Sequence, residues 1–173
     1  MPLSHKYSRI ERERRFLLAE FPSNVDVSRI RRITDRYIDS TTLCLRQQTE
    51  DNSTIFKLTQ KISSPGTGAQ QGFITSIYLS REEFHIVAKL PAKQLTKIRH
   101  SVSPFGIDVF EGTWEGLVLA EAEFESASEA DALILPPFIV HEVSTDIRFT
   151  GGRLVCASRP EIQGWLREYG IEL

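Results

Sequence analysis

Two stretches of the chain place charged residues two apart, the side-chain period of one strand face. Glu11, Glu13 and Arg15 share a face of RIERERRFLL. Glu121, Glu123 and Glu125 share a face of LVLAEAEFE, opposite Ala120, Ala122 and Phe124. Basic residues repeat the spacing: Lys57 and Lys61 fall on one face with Thr59, Lys97 with Arg99, and Arg46 with Cys44. A row of like charges on one strand repels itself unless counter-charges face it. Clustered carboxylates suit a hard divalent cation such as Mg²⁺. Arginine forks and lysine point charges suit phosphate. Such rows become tolerable if the strands face each other across a polar interior, with counter-charges, metal and anion between them. Charge runs are also common on solvated outer faces, so each strand taken alone fits that use as well.

The elements that must carry these residues are mostly strands. The patterns predict strands at Arg9–Leu18, Ile33–Asp39, Thr42–Gln48, Thr54–Ile62, Phe73–Leu79, Leu95–Val102, Phe105–Glu111, Leu117–Glu125 and Val140–Arg148. Helices are signalled by caps: Asp26 before VSRIRRI, Ser80 with Glu83, Ser126 with Glu129, and Ser158 with Glu161, the last ended by Gly170. The run SSPGTGAQQG, Ser63 to Gly72, reads as a long hairpin connection. Nine strand candidates imply a mainly β domain, closed or nearly closed into a barrel, with helices outside it or across its ends.

Bulk properties exclude several classes. At 173 residues, 40% hydrophobic and 25% charged, the chain suits a single domain spanning residues 1–173. A net charge of −2 gives no global field toward nucleic acid or membrane. Cys44 and Cys156 fit neither a metal-ligand spacing nor a disulfide framework. The N-terminal MPLSHKYSRIERERRF has no apolar stretch of the signal-peptide kind, and no segment approaches a bilayer span, so a cytoplasmic location is expected.

The segment Ile10 to Leu18 resembles the N-terminal signature of the CYTH, or triphosphate tunnel metalloenzyme, family: Glu-x-Glu-x-Lys followed by Phe-Leu. Further similarities follow in the family's order: Ile33–Ile38 with its tyrosine, Cys44–Arg46, Phe56–Thr59, Lys97–Arg99, Ile107–Gly112, Gly116–Phe124 and Val143–Phe149. The resemblance implies a closed antiparallel barrel of eight strands around a tunnel, with flanking helices. It implies Mg²⁺ or Mn²⁺ held by Glu11, Glu13, Asp108, Glu121 and Glu123. It implies phosphate contacts from Arg15, Arg46, Lys57, Lys97, Arg99 and Arg148, and catalytic contributions from Glu11, Glu13, Arg15 and Tyr37. The implied ligand is a triphosphate-bearing small molecule, bound by a monomer or homodimer, with neither nucleic acid nor membrane as partner.

Three departures from the family pattern bear on activity. Arg15 stands for the usual lysine and cannot pass a proton, which leaves any proton role to Tyr37 or to water. Cys44 stands for the first arginine of Arg-x-Arg, so a contact is lost unless Arg36 or Lys61 supplies it. The strand after the glycine-rich loop, GFITSIYL, carries no charge. The leading expectation is metal-dependent hydrolysis of inorganic triphosphate or a related linear phosphate. The alternatives are an adenylate cyclase of the same family and a non-catalytic phosphate or polyphosphate binder. Other conspicuous residues have plainer uses. Trp114 packs a turn, Trp165 and Tyr169 stripe a helix, the four histidines lack ligand spacing, and Arg29, Arg31 and Arg32 form a solvated helix face.

Overall fold

The structure is a computed structural model and describes residues 6–63 and 71–173. The period-two stretches form strands β1 (Arg9–Leu18), β2 (Arg29–Ile38), β3 (Leu43–Glu50), β4 (Ser53–Ser63), β5 (Gln71–Leu79), β6 (Ala92–Val102), β7 (Phe105–Phe110), β8 (Val118–Glu123) and the two-residue β9 (His141–Glu142). Four helices accompany them: α1 (Arg81–Val87), α2 (Ala127–Asp131), α3 (Gly151–Leu154) and α4 (Arg159–Arg167). Of the hairpin connection expected over residues 63–72, residues 64–70 lie outside the described residues, and Gln71 and Gly72 belong to β5.

Every pairing is antiparallel, in the order β5-β4-β3-β2-β6-β7-β8-β1, and β1 pairs with β5 to close an eight-stranded barrel. Closure uses only the first part of β1, where Arg9 to Arg12 pair with β5. Further along, Phe16 and Leu17 pair with β9. Between them the Ser144 hydroxyl accepts from the Arg15 backbone N–H at 2.9 Å, and the Val143 N–H donates to the Arg15 carbonyl. These bonds satisfy the β1 edge with side chain and turn, so the strand expected over Val140–Arg148 shortens to β9 and a 3₁₀ turn at Ile147–Phe149.

One helix expectation is corrected. The segment after Asp26 enters β2, where Arg29 to Ile38 pair with β6 over ten positions. Ile30 and Ile33, three apart, imitate a helical stripe, but the ladder with β6 decides the conformation. Arg29, Arg31 and Arg32 therefore lie on a strand. Arg29 pairs with Glu50 and Arg32 with Glu111 on exposed surface, while Arg31 turns inward and donates to the Ser101 hydroxyl.

The capping box of α1 forms with both reciprocal bonds, at α4 the Glu161 carboxylate accepts from the Ser158 N–H and hydroxyl, and Gly170 takes φ +73° after α4. At α2, Ser126 accepts from the Glu129 N–H, while the Glu129 carboxylate accepts from Glu125 instead of the cap. Helix α1 lies outside the barrel and packs Phe84 on Leu45 and Phe56. A second outer cluster, centred on Phe16, Ile107 and Ala120, is covered by loop residues that include Phe21, Val27 and Phe138. The third cluster is inside. Leu17, Leu95, Phe110 and Leu119 point into one end of the barrel and meet Phe149, Leu154, Ile162 and Leu166 of the C-terminal segment. Trp114 joins this cluster and donates its indole N–H to the Leu154 carbonyl at 2.8 Å. Trp165 and Tyr169 border it partly buried; the buried face of α4 is Ile162 and Leu166.

Candidate functional site

The apolar end leaves the remainder of the barrel interior to polar groups. Alternation carries Glu11, Glu13 and Arg15 of β1 onto the same inner face as Leu17. The register then sets neighbours. Glu13 stands opposite Glu123, and Arg15 opposite Glu121. Asp35 is flanked by Arg46 and Leu95, Arg46 by Lys57, and Arg99 by Asp108. Most of these side chains line a cavity of about 350 Å³, together with Arg9, Thr41, Leu43 and Gly151.

Among the described residues, seven arginines and lysines line the cavity (Arg9, Arg15, Arg46, Lys57, Lys61, Lys97, Arg99), against four carboxylates (Glu11, Glu13, Glu121, Glu123). A chain of net charge −2 thus concentrates positive charge at one interior place. Two further carboxylates sit behind the wall, each fully buried. Asp35 accepts from Arg46 Nε at 2.6 Å and Nη2 at 2.8 Å. Burial opposes its charge, but Arg46, with Lys97 and Arg99, more than offsets that and holds it below the ordinary carboxylate range. Asp108 accepts from Lys97 Nζ at 2.5 Å and from both forks of Arg99 at 2.6 Å. Gly106 lies under this pair: a Cβ there would stand 3.3 Å from Arg99 Cδ and Nε, so its absence leaves the guanidinium room to lie flat.

The carboxylates facing the cavity are also ion-paired. Glu11 holds Lys61 at 2.7 Å, Glu13 holds Arg15 at 2.8 Å, Glu121 meets Arg99, and Glu123 faces Arg9 at 3.7 Å. Burial would raise the Glu121 pKa, but Lys97, Arg99, Arg15 and Lys61 hold it well below its usual value. Lys57 differs from its neighbours. Among the described residues no carboxylate pairs with it, and burial, then Arg46 and Lys61, lower its pKa. Tyr37 projects its hydroxyl toward α3, where a Cβ on Gly151 would come within 1.8 Å of the oxygen. Burial, followed by Asp35, raises the Tyr37 pKa well above its usual value, so the phenol stays protonated. Burial and Asp35 push the Cys44 thiol up to about 12, which leaves that wall position uncharged.

The structure brings together Glu11, Glu13, Arg15, Tyr37, Arg46, Lys57, Lys61, Lys97, Arg99, Glu121 and Glu123. Three expected site residues are not part of the lining. Asp108 lies behind the lining, with both oxygens accepting from Lys97 and Arg99. Arg36 follows the opposite parity from Tyr37, so it lies outside, donating to the Ala88 carbonyl and Gln94. Arg148 sits in the 3₁₀ turn, gripped by Asp146 and Glu168 at 2.8 Å each. Glu125 falls beyond the end of β8. Asp35 was missed: a lone acid between Thr34 and Arg36 carries no spacing signal, although its parity with Tyr37 places it inside.

Four carboxylates on two adjacent strands have the hard oxygen donors that Mg²⁺ or Mn²⁺ takes. Their arrangement is the ion-paired one just described. Among the described residues, no three His, Cys, Asp or Glu side chains form a group ready to hold a metal ion.

No protein-family model matches the chain, and no match was found among curated proteins. Solved structures do resemble it. The structure of the hypothetical protein NE1496 is 25% identical, with a TM-score of 0.57, over 86% of this chain and 99% of its own. A structure of the inorganic triphosphatase NE1496 is 25% identical, with a TM-score of 0.57, over 85% of this chain and 95% of its own. PH1819 from Pyrococcus horikoshii OT3 shares the fold at 15% identity and a TM-score of 0.50, over 94% and 91% of the two chains. This chain is thus similar in structure to an inorganic triphosphatase. No helix among the described residues is long and apolar enough to cross a membrane.

Proposed function

We propose that the chain binds inorganic triphosphate or a related linear triphosphate in the barrel cavity and hydrolyses it, as a member of the CYTH, or triphosphate tunnel, class. The observation that carries this reading is the cationic excess of the cavity wall, with Lys57 left, among the described residues, without a carboxylate partner. A partly buried cation without a counter-ion is disfavoured until an anion arrives. A row of phosphates supplies several charges at once, matching the spread of Arg46, Lys57, Lys97 and Arg99 around the interior. The similarity to the inorganic triphosphatase NE1496 supports the same ligand class.

Mg²⁺ or Mn²⁺ would be held by Glu11, Glu13, Glu121 and Glu123 and would supply charge neutralisation at the phosphoryl oxygens. The chain's own residues do the rest. Arg46, set by Asp35, and Arg99, set by Asp108, present fixed forks, so their orientation is settled before the ligand enters. Arg15 is held by Glu13 at 2.8 Å, and Tyr37 offers a neutral hydroxyl donor from the opposite wall. A second reading, anion binding without turnover, draws on the ion-paired state of all four lining carboxylates.

The deciding experiment incubates purified protein with inorganic triphosphate, ATP and thiamine triphosphate, each with Mg²⁺ or Mn²⁺, and follows phosphate, pyrophosphate and cyclic AMP. Phosphate release from inorganic triphosphate is expected. Cyclic AMP from ATP would move the chain to cyclases, and binding with no product would move it to the anion binders.

A further inference from the structure

Lys61 reaches across the barrel interior from β4 to β1, placing Nζ 2.7 Å from Glu11 Oε2 and 3.8 Å from Glu13 Oε2. Strand β5 lies between those two strands, and its Gly72 pairs with Glu11 on one side and Ser63 on the other. A glycine at that inner position puts no side chain in the way. The ammonium therefore occupies the point that a cation shared by the two carboxylates would take. Its side chain remains 56% exposed, so the flexible stem is free to swing. The neighbouring inner position on β3 is Cys44, opposite Thr59, and it brings no charge. Lys61, on the same inner face two residues from Thr59, is a cation within reach of that stretch of wall.

We propose that Lys61 is a resident counter-ion, displaced from Glu11 and Glu13 by a divalent cation and then turned toward the bound phosphates, so that metal and anion bind cooperatively. This rests on reading the cavity as a triphosphate site. Two cations cannot both sit between the same pair of carboxylates, because each would lose its counter-charge and meet the other. Metal binding then frees the ammonium, and an anion that captures the ammonium frees the carboxylates. Linkage makes the two effects equal. Lys61 in this account sets metal affinity and coupling; it does no bond-making.

The test is calorimetry on the whole chain with Mg²⁺ alone, with inorganic triphosphate alone, and with orthophosphate in the absence and presence of Mg²⁺; orthophosphate chelates Mg²⁺ only weakly in solution. Lys61→Met keeps the stem and removes the charge. It is expected to bind Mg²⁺ about tenfold more tightly than the parent. In the parent, Mg²⁺ should strengthen orthophosphate binding, and in Lys61→Met that strengthening should shrink. Lys61→Arg keeps the charge and should keep the parent's Mg²⁺ affinity to within about threefold. The proposal is overturned if Lys61→Met binds Mg²⁺ no more tightly than the parent, if Lys61→Arg tightens equally, or if Mg²⁺ leaves orthophosphate binding unchanged in the parent. Loss of the triphosphate reading looks different: the parent itself would then fail to bind triphosphate alone.

Discussion

Replacing Asp35 with Asn separates what holds the barrel from what holds its ligand. Asp35 is fully buried and accepts both forks of Arg46 at 2.6 and 2.8 Å. The amide is nearly isosteric but neutral, and it offers one acceptor oxygen where the carboxylate offered two. Removing one member of a buried ion pair costs about 3–5 kcal/mol. Arg46 is 23% exposed to the cavity and keeps one hydrogen bond to the amide, so the lower end, about 3 kcal/mol, applies. For a chain of this length that lowers Tm by roughly 6–12 °C. The ligand should respond in the opposite direction. With Asp35 neutral, the uncompensated Arg46 charge faces the cavity, and a bound triphosphate supplies what the carboxylate did. Thermal scans with and without inorganic triphosphate should therefore show a lower baseline Tm and a larger ligand-induced rise than in the parent. A variant as stable as the parent, or one with a smaller ligand-induced rise, would refute this reasoning.

Other consequences follow from the same geometry. Because burial and nearby cations lower the Lys57 pKa, triphosphate affinity should fall as pH rises through that lowered value, below the ordinary lysine range near 10.5; in Lys57→Arg the fall should vanish, as binding titrations across pH would show. The depressed pKa of Glu121 contributes stability that is complete above its unfolded value near 4.5 and is lost as pH falls through the folded one; Glu121→Gln should flatten the dependence of Tm on pH in that acid window. Gly151→Ala would place Cβ 1.8 Å from the Tyr37 oxygen and 2.8 Å from Cζ, costing about 1–3 kcal/mol by overpacking. Tyr37→Phe in the same chain should restore part of that loss, and a pair of melts that showed no restoration would place the strain elsewhere.

Strand periodicity made much of this visible from sequence. The alternation in RIERERRFLL and LVLAEAEFE put Glu11, Glu13, Glu121 and Glu123 on shared faces, and the barrel turns those faces inward. Pattern alone does not say which face is the inside; that depends on Leu17 and Leu119, which continue the same faces into the apolar end. Arg36 obeys the same rule: adjacent to an inward Tyr37, it points out to the Ala88 carbonyl. Asp108 shows another limit. Lys97 and Arg99 both donate to it, and that arrangement exists only once β6 and β7 are in register. Helix α3 begins at Gly151-Gly152, which discourages a helix from local propensity; the closeness of Tyr37 explains why a glycine stands at 151.

Turnover of a linear triphosphate in the cation-lined cavity is what the proposed function requires. Phosphorus NMR of inorganic triphosphate, mixed with the protein and Mg²⁺, follows substrate and products at once. The account predicts that the triphosphate signals give way to orthophosphate and pyrophosphate in equal amounts, and that a Lys57→Met, Arg46→Met double variant slows this at least about a hundredfold. Triphosphate signals that persist unchanged with the parent protein, under conditions where it is folded, would contradict it.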